Sequence, residues 1–343
     1  MKPIPILLTY LSITFATCIA NALQSQAKIK PLAKAHLEKV GISRGICAVF
    51  GLSENENSDY VVDLAHGSEL TIYFQSPNNS DLTKVRKAAE EAGLLGRRIF
   101  AEKAEWKRIH LATNLADAVL VASASTEDVN EKEILRVLRP RGKAFLGKRQ
   151  IIKPPIEGTD SWSHPYHGPD NNPQSTDRIA RAPYLTQFVA EPKFSPMPQV
   201  SVAAGGRIFK AFGHIAHKAN QNEVLNTLLC VNAYNGTILW EKPLPEGYLV
   251  HRSAFVATRD TFYMIDGPGC RRINPQTGAN LGRLRIPGLV GHWKWMVIRD
   301  GVLYALAGPR DQGVVTTKGV RSFGGWSWSD LSRGYYSKPR VPW

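Results

Sequence analysis

Two stretches of the chain, 42 residues apart, carry the same turn pattern. In Asn232–Trp240 and in Asn274–Gly282, an apolar residue precedes the Asn, a polar turn with a glycine follows, and a second short apolar run begins. This order of apolar run, glycine turn and apolar run is typical of a β-hairpin. A period of about 40 residues is typical of one blade of a β-propeller. The repeat therefore predicts an all-β region built from blade-like units.

A second pair of segments keeps the same register. Arg259–Ile265 and Arg299–Leu306 each place a charged turn before an alternating strand. Together the four segments predict a partial β-propeller over residues 199–343, with about two to three blades. The next turn would fall near Thr316, where the sequence lacks the motif. Because a propeller needs at least four blades, we expect the remaining blades to lie outside this sequence.

Composition and charge limit the class of protein. The chain has 343 residues, 43% of them hydrophobic, which is typical of globular domains and allows two of them. The 43 Lys and Arg against 29 Asp and Glu give a formal charge of +14, which favours contact with an anionic surface. The basic residues are scattered and form no recognisable reading motif, so nucleic acid is not the expected partner.

The first 22 residues have the pattern of a secretory signal peptide. An uncharged apolar run follows Lys2 and ends in the small-x-small sequence Ala20-Asn21-Ala22. This pattern predicts export to the periplasm or the extracellular space. The residues before Cys18 form a poor lipid-attachment motif, so we do not expect a lipid anchor.

Three cysteines remain after the predicted cleavage, and they form no CxxC pair. Cysteine spacing therefore predicts no metal site. Cys230 and Cys270 lie nearly one blade period apart, so adjacent blades could place them near each other. We expect either a disulfide between them or two separately buried thiols, and favour the thiols.

Residues 28–150 show a different pattern, in which short apolar strands alternate with helices. The predicted strands are Gly45–Phe50, Leu70–Phe74, Arg98–Ala101, Ala118–Ala122 and Lys143–Gly147, and the predicted helices are Asp81–Gly93 and Val129–Leu138. Alternation of this kind predicts an α/β domain with a parallel, Rossmann-like sheet. The continuous apolar strands agree, because a sheet covered on both faces loses its alternation.

Residues 151–198 form a segment rich in Pro and Asn, which we interpret as the linker between the two domains. It contains His164 and His167, and a similar pair, His214 and His217, follows in the β region. Both spacings could chelate a metal from a turn. Neither pair has a recognisable third ligand, so we predict no metal site and favour a rigid loop in which the imidazoles bond backbone carbonyls.

Residues Asp117–Ala122 and Glu133–Gly147 resemble the fourth strand, the following helix and the fifth strand of class I S-adenosylmethionine-dependent methyltransferases. The Leu-Arg-Pro-x-Gly-Lys turn is the most specific part of this likeness. The resemblance implies S-adenosylmethionine as cofactor. It points to Gly51 in the loop after the first strand, to Gln75 at the end of the second, and to Glu105 after the third.

The chain departs from the pattern of that family at two of these positions. Only Gly51 stands where several glycines would let the backbone approach the cofactor, and Gln75 stands where a carboxylate would accept the ribose hydroxyls. The departures favour a methyltransferase-like domain that is not catalytic. A methyltransferase with an atypical cofactor loop remains the alternative.

The β region resembles the PQQ-like, quinoprotein-dehydrogenase-like propellers, because both repeated hairpins match their D-A-x-T-G-x-x-L-W pattern with Asn at the Asp position. The order of signal, methyltransferase-like domain and propeller resembles a planctomycete-type family of PQQ-like repeat proteins. The resemblance implies pyrroloquinoline quinone as a cofactor. Enzymes of that class use a vicinal disulfide, calcium and a catalytic Asp. The sequence has no Cys-Cys pair, and we expect Asp266 and Asp300 to serve turns.

These patterns lead to one main hypothesis, an exported scaffold that binds a protein or a glycan. Sugars stack on exposed indoles, so Trp295, Trp326 and Trp328 are candidates for a glycan surface, although core packing is the favoured role for Trp295. The enzyme alternatives are the S-adenosylmethionine-dependent methyltransferase and a fragment of a quinone-linked oxidoreductase. No catalytic residue is predicted.

Overall fold

A computed structural model describes residues 29–309 except 53–58, 123–128, 183–186, 190, 199, 214–217, 246–247, 249 and 251–253. The predicted signal peptide, the region around Thr316 and the pair Trp326 and Trp328 lie outside the described residues, as do His214 and His217. The chain divides into two compact units, Met1–Pro155 and Ile156–Trp343. Among the helices that the structure describes, none has the length and apolar character needed to cross a membrane.

The first unit is a six-stranded sheet in the order β3-β2-β1-β4-β5-β6 with helices between its strands. Its strands are β1 Arg44–Phe50, β2 Glu69–Ser76, β3 Ile99–Lys103, β4 Ala116–Val121, β5 Leu138–Leu146 and β6 Arg149–Ile152, and its helices are α1 Pro31–Val40, α2 Asp59–His66, α3 Asn79–Glu91 and α4 Glu131–Val137. Strands β1 to β5 are parallel and β6 is antiparallel to β5. The predicted Rossmann-like sheet is confirmed by this topology.

Burial follows from the composition of the strands. β4 is buried along its whole length, and β1 is buried from Gly45 onwards. Helices cover the sheet because each has an apolar face, as in α3, where Leu82, Val85 and Ala89 are buried. Asn78 begins α3 by accepting a hydrogen bond from the backbone N–H of Ser80. The sheet is thus a rigid frame for the ends of its strands.

The predicted helix Val129–Leu138 is shorter in the structure, and the turn predicted after it is part of β5. Strand β5 already begins at Leu138, and its register against β4 shifts before Lys143. Arg141 takes a positive φ of 65° there, and its N–H donates to the carbonyl of Lys153 at 2.8 Å. The strand continues past Pro140 because Lys153, which follows β6, exchanges backbone hydrogen bonds with Arg141 and Gly142 at the bulge. Helices α1 and α2 and strand β6 were not predicted.

The described part of the second unit contains three antiparallel sheets. The first is β7 Val200–Ala204, β8 Arg207–Phe212, β9 Thr227–Asn232 and β10 Ile238–Pro243, the second is β11 Phe255–Ala257, β12 Phe262–Ile265, β13 Gly269–Ile273 and β14 Asn280–Arg285, and the third is β15 His292–Arg299 with β16 Val302–Gly308. A 3-10 helix, Ala219–Val224, lies between β8 and β9. Each four-stranded sheet is an up-and-down meander. Within the described residues these sheets do not form a closed propeller.

The repeated hairpins predicted from the sequence are confirmed. The turns at Asn232 and Asn274 join the third and fourth strands of their sheets. In each, the Asn carbonyl accepts from the glycine four residues on, at 2.9 Å from Gly236 and 2.8 Å from Gly278. Both glycines have a positive φ, 79° and 71°. The side chain of each Asn also accepts a backbone N–H two residues on, so the residue type is explained by the turn.

Cys230 and Cys270 are free, buried thiols, as favoured above. The sulfur of Cys230 lies 3.4 Å from the carbonyl of Pro275. Burial raises the pKa of the Cys270 thiol to about 12 and raises that of Cys230 as well. Neither group carries a thiolate at neutral pH, so both serve packing.

Candidate ligand site at the carboxyl edge of the parallel sheet

The first unit has a topological switch point beside its central strand. β1 lies between β2 and β4, so the chain leaves β1 towards one side of the sheet and later returns to the other. Ligands of open α/β sheets bind in the crevice outside the carboxyl ends of the strands at such a point. The loops 53–58 and 123–128, which follow β1 and β4, are not described. The described part of this edge consists of the ends of β1, β2 and β3.

Gly51 is the first residue after β1 and is buried. Its φ of 71° lies in the left-handed region, which glycine adopts without strain. Its N–H donates to the carbonyl of Gln75 at 3.1 Å, and the N–H of Ala122 donates to the carbonyl of Phe50 at 3.0 Å. The predicted loop glycine thus begins the turn that leaves the sheet at the switch point.

Gln75 lies at the end of β2 with its side chain fully buried. Its Nε2 donates to the carbonyls of Glu105 at 2.9 Å and Arg108 at 3.0 Å. Its Oε1 lies 3.0 Å from the Tyr73 hydroxyl and accepts from the N–H of His110 at 3.3 Å. The nitrogen and the oxygen of the amide both form hydrogen bonds to other residues of the chain. The side chain therefore links the segment that follows β3 to the sheet.

Glu105 lies in that connection and is exposed. The contact that brings it to Gln75 is made by its backbone carbonyl. The structure therefore brings Gly51, Gln75 and the backbone of Glu105 to one edge of the sheet.

Glu102 is a carboxylate at the same edge that the sequence analysis did not single out. It is the register partner of Gln75 on the neighbouring strand β3. Its Oε2 lies 3.0 Å from the Tyr73 hydroxyl and its Oε1 lies 2.8 Å from Nδ1 of His110. The hydrogen bond with His110 is the main cause that lowers the pKa of Glu102. The edge thus carries an ionised carboxylate next to the position where β2 has an amide.

Two neighbouring groups hold this carboxylate. Burial, followed by the hydrogen bond to Glu102, raises the pKa of Tyr73, so its hydroxyl stays a donor. His110 is half-exposed and closes the other side of the carboxylate. Glu102 was missed because the predicted strand ended at Ala101. In the structure β3 runs to Lys103 and so includes Glu102.

Asp266 and Asp300, which we expected to serve turns in the second unit, both lie near arginines. Asp266 forms ion pairs with Arg271 and Arg283, and Asp300 lies 3.6 Å from Nε of Arg299. In the part of the chain that the structure describes, no group of three or more metal-ligating side chains occurs. These residues do not fit a site for calcium and the quinone.

His164 and His167 face different partners. Nε2 of His167 lies 2.8 Å from the carboxylate of Asp160. Nε2 of His164 accepts from the N–H of Ile298 at 3.1 Å, and its Nδ1 lies 2.8 Å from the Ser163 hydroxyl. The imidazoles thus serve the loop structure, but through a carboxylate, a hydroxyl and a backbone N–H where we had expected backbone carbonyls.

Comparison with known proteins gives no family and no curated relative, because no family model and no curated protein matches the chain. Solved structures similar to it include a protein assigned as an S-adenosyl-L-methionine-dependent methyltransferase from Methanococcus maripaludis. The two sequences are 21% identical, the match covers 37% of this chain and 60% of that chain, and the TM-score is 0.30. A second is assigned as a sarcosine dimethylglycine methyltransferase from Galdieria sulphuraria, with 17% identity, coverage of 33% and 43%, and a TM-score of 0.29. A third is a SAM dependent methyltransferase from Aquifex aeolicus, with 16% identity, coverage of 36% and 70%, and a TM-score of 0.28.

The chain spans less than two thirds of the length of the first two of these proteins. At this level the likeness decides no activity. The fold of the first unit is shown by its own strand order and register.

Proposed function

We propose that the first unit binds S-adenosylmethionine at the carboxyl edge of its sheet, in the manner of a methyltransferase with an atypical site. The observation that carries this proposal is the ionised carboxylate of Glu102, held by Tyr73 and His110 beside the end of β2. The proposal concerns binding, since no described residue is placed to act on a methyl group.

The chemistry of the residues fits the ribose of such a ligand. A ribose diol offers two donors, and an ionised carboxylate offers two acceptor oxygens with free lone pairs beyond the bonds already made. Gln75 cannot take this role without giving up bonds to the chain, because its amide already donates to the carbonyls of Glu105 and Arg108 and accepts from the N–H of His110. Glu102 would therefore replace, from β3, the acid that the family resemblance places at the end of β2.

Gly51 supports the same position for the ligand. Its left-handed backbone turns the chain away at the end of the central strand, and a residue without Cβ leaves the backbone open to a ligand. Glu105, to which the family resemblance points after the third strand, is exposed at the same edge. It is the proposed contact for the adenine.

Isothermal titration of the full chain with S-adenosylmethionine tests the proposal, with S-adenosylhomocysteine as a second ligand and adenosine triphosphate as a control. We expect one equivalent of either adenosyl ligand to bind and the triphosphate to bind much more weakly, because Glu102 and Glu105 repel its phosphates. No heat with either adenosyl ligand at millimolar concentration would contradict the proposal.

A second candidate function belongs to the second unit, which we propose to be part of a PQQ-like propeller that acts as a scaffold for a protein or glycan. Its two four-stranded meanders have the strand arrangement of propeller blades, and the turn after β13 is joined to the neighbouring sheet through the indole of Trp240. Export by the signal peptide stays part of this proposal.

Activity with the quinone tests the enzymatic form of this candidate. The described residues do not fit the cofactor, so we expect no turnover in a dye-linked alcohol or sugar oxidation assay with added quinone and calcium. Turnover above the rate of the cofactor alone would replace the scaffold by a quinone-linked oxidoreductase.

A further inference from the structure

Three consecutive residues of the segment before β7 each bond to a different sheet of the second unit. The carbonyl of Trp162 accepts from the N–H of Ala203 in β7 at 2.6 Å. The carbonyl of Ser163 accepts from the N–H of Ala257 in β11 at 2.9 Å. His164 then reaches Ile298 in β15 through its ring. The segment thus crosses the first strand of all three sheets in order.

The third link differs from the other two because a side chain makes it. Nε2 of His164 accepts the N–H of Ile298 at 3.1 Å, which requires a ring without a proton on that atom. The proton then sits on Nδ1, which lies 2.8 Å from the Ser163 hydroxyl. His164 is only 4% exposed. A protonated ring would turn a donor towards the N–H of Ile298 in a place that water hardly reaches.

We propose that Trp162–His164 is a clasp on the three sheets, and that protonation of His164 opens its third link and frees β15 while the first two links remain closed. The link is made in neutral solution and broken by mild acid. The first two links use backbone carbonyls, which do not titrate in this range.

The charges around His164 set the direction of the effect. Burial lowers the pKa of His164, and the charge of Asp170 acts weakly in the opposite direction. On the same loop, His167 is paired with Asp160. On β15 the titratable and charged residues are His292, Lys294 and Arg299, and Arg299 is largely exposed beside Asp300. Because the folded pKa lies below the ordinary value near 6.5, the link is complete above about pH 6.5 and is lost as the pH falls through the lowered pKa of His164.

Amide exchange of the full chain measures each link separately. Protection of the Ile298 amide, corrected for the intrinsic effect of pH, is followed from pH 7.5 to 4.5, with Ala203 and Ala257 as internal references. We expect Ile298 to lose protection by at least about tenfold relative to both references. A constant ratio of the three amides over this range would contradict the proposal.

Variants of His164 distinguish an effect of its protonation from an effect of its packing. His164→Gln keeps an acceptor that does not titrate, so the protection of Ile298 should no longer depend on pH. His164→Leu removes the acceptor, so protection should be low at every pH. His292→Gln, on the same strand β15, is the control and should keep the behaviour of the unmodified chain. An unchanged pH dependence in His164→Gln would overturn the clasp.

A direct measurement covers the case in which the Leu variant does not fold. Nitrogen chemical shifts of the unmodified chain report which ring atom of His164 carries the proton. We expect Nε2 without a proton at pH 7.5 and a midpoint of titration below that of a free histidine. A proton on Nε2 at pH 7.5 would exclude the link and with it the proposal.

Discussion

The indole of Trp240 in β10 is fastened to the turn that follows β13 in the next sheet. Its Nε1 donates to the carbonyl of Pro275 at 3.0 Å, and its ring lies against Gly278. A Cβ on Gly278 would come within 2.9 Å of the ring. The repeated glycine thus has two causes, the positive φ of the turn and the aromatic ring that lies on it.

The same arrangement occurs one repeat earlier. A Cβ on Gly236 would meet the ring of Phe188 at 2.5 Å and the carbonyl of Val189 at 2.2 Å. The N–H of Val189 also donates to the carbonyl of Asn235 at 2.7 Å. The segment before β7 therefore covers the turn of the first sheet as Trp240 covers the turn of the second.

Replacement of Gly278 by Ala should destabilise the second unit by about 2 to 4 kcal/mol. About 1 kcal/mol comes from the left-handed backbone, and the rest from the clash with Trp240. Gly288→Ala is the matched control, because Gly288 has a φ of 74° and no atom within 4 Å of the added Cβ. Urea unfolding of both variants checks this, and equal losses would show that the contact with Trp240 has no energetic weight.

Asp117→Ala should destabilise the first unit by about 3 to 5 kcal/mol. The Asp117 side chain is buried, accepts from the N–H of Ile46 at 2.9 Å and forms an ion pair with Arg139. Its removal leaves a largely buried guanidinium without its charge partner, which is costly. Glu69→Gln breaks the surface pair with Arg44 and should cost less than about 1 kcal/mol. Chemical denaturation distinguishes the two, and a small loss for Asp117→Ala would refute a structural role for the buried pair.

Gln75→Leu should destabilise the first unit by about 3 kcal/mol. The change leaves the fully buried position without its polar partners, the partly buried carbonyls of Glu105 and Arg108 lose their donor, and each such loss costs about 1 to 3 kcal/mol at most. Gln150→Leu, at an exposed position of β6, should change stability by less than about 0.5 kcal/mol. Thermal unfolding compares them. If both variants unfold like the unmodified chain, the Gln75 amide does not fasten this connection.

The lowered pKa of Asp160 predicts that the protein loses stability in acid. Burial acts to raise its pKa, but hydrogen bonds, first from the N–H of Thr176 and then from Ser161, His167 and Ser175, hold the pKa well below its usual range. Its contribution is complete above about pH 4 and is lost as the pH falls below that value. The difference in unfolding free energy between the unmodified chain and Asp160→Asn should therefore shrink between pH 5 and pH 3. A difference that stays constant would contradict the role of the ionised carboxylate.

The sequence was most informative where local chemistry decides the structure. The hairpins at Asn232 and Asn274 were predictable because the Asn and Gly types are required by the turn itself. The parallel sheet was predictable because its central strands β1 and β4 are apolar over most of their length. By contrast, the run of β5 through Pro140 depends on backbone bonds beyond β6, which no local pattern reports.

The site was predictable only in part. Gly51 and Gln75 follow strands whose ends are visible in the sequence, so their common edge could be expected. The contribution of Glu102 depends on its register with Gln75 and on His110, both set by pairing of β2 with β3. The clasp at His164 joins residues 134 positions apart, a separation over which the sequence carries no signal.

The most direct test of the proposed ligand site compares two carboxylates at the same edge of the sheet. Affinity for S-adenosylmethionine is measured by titration calorimetry in the unmodified full chain, in Glu102→Gln and in Glu105→Gln. We expect Glu102→Gln to weaken binding by about ten- to a hundredfold, since a charged acceptor for the ribose is lost, and Glu105→Gln to change it by less than about fivefold, since an amide can still hydrogen-bond the adenine. Equal affinities of Glu102→Gln and the unmodified chain would contradict the assignment of Glu102, and with it the proposed site.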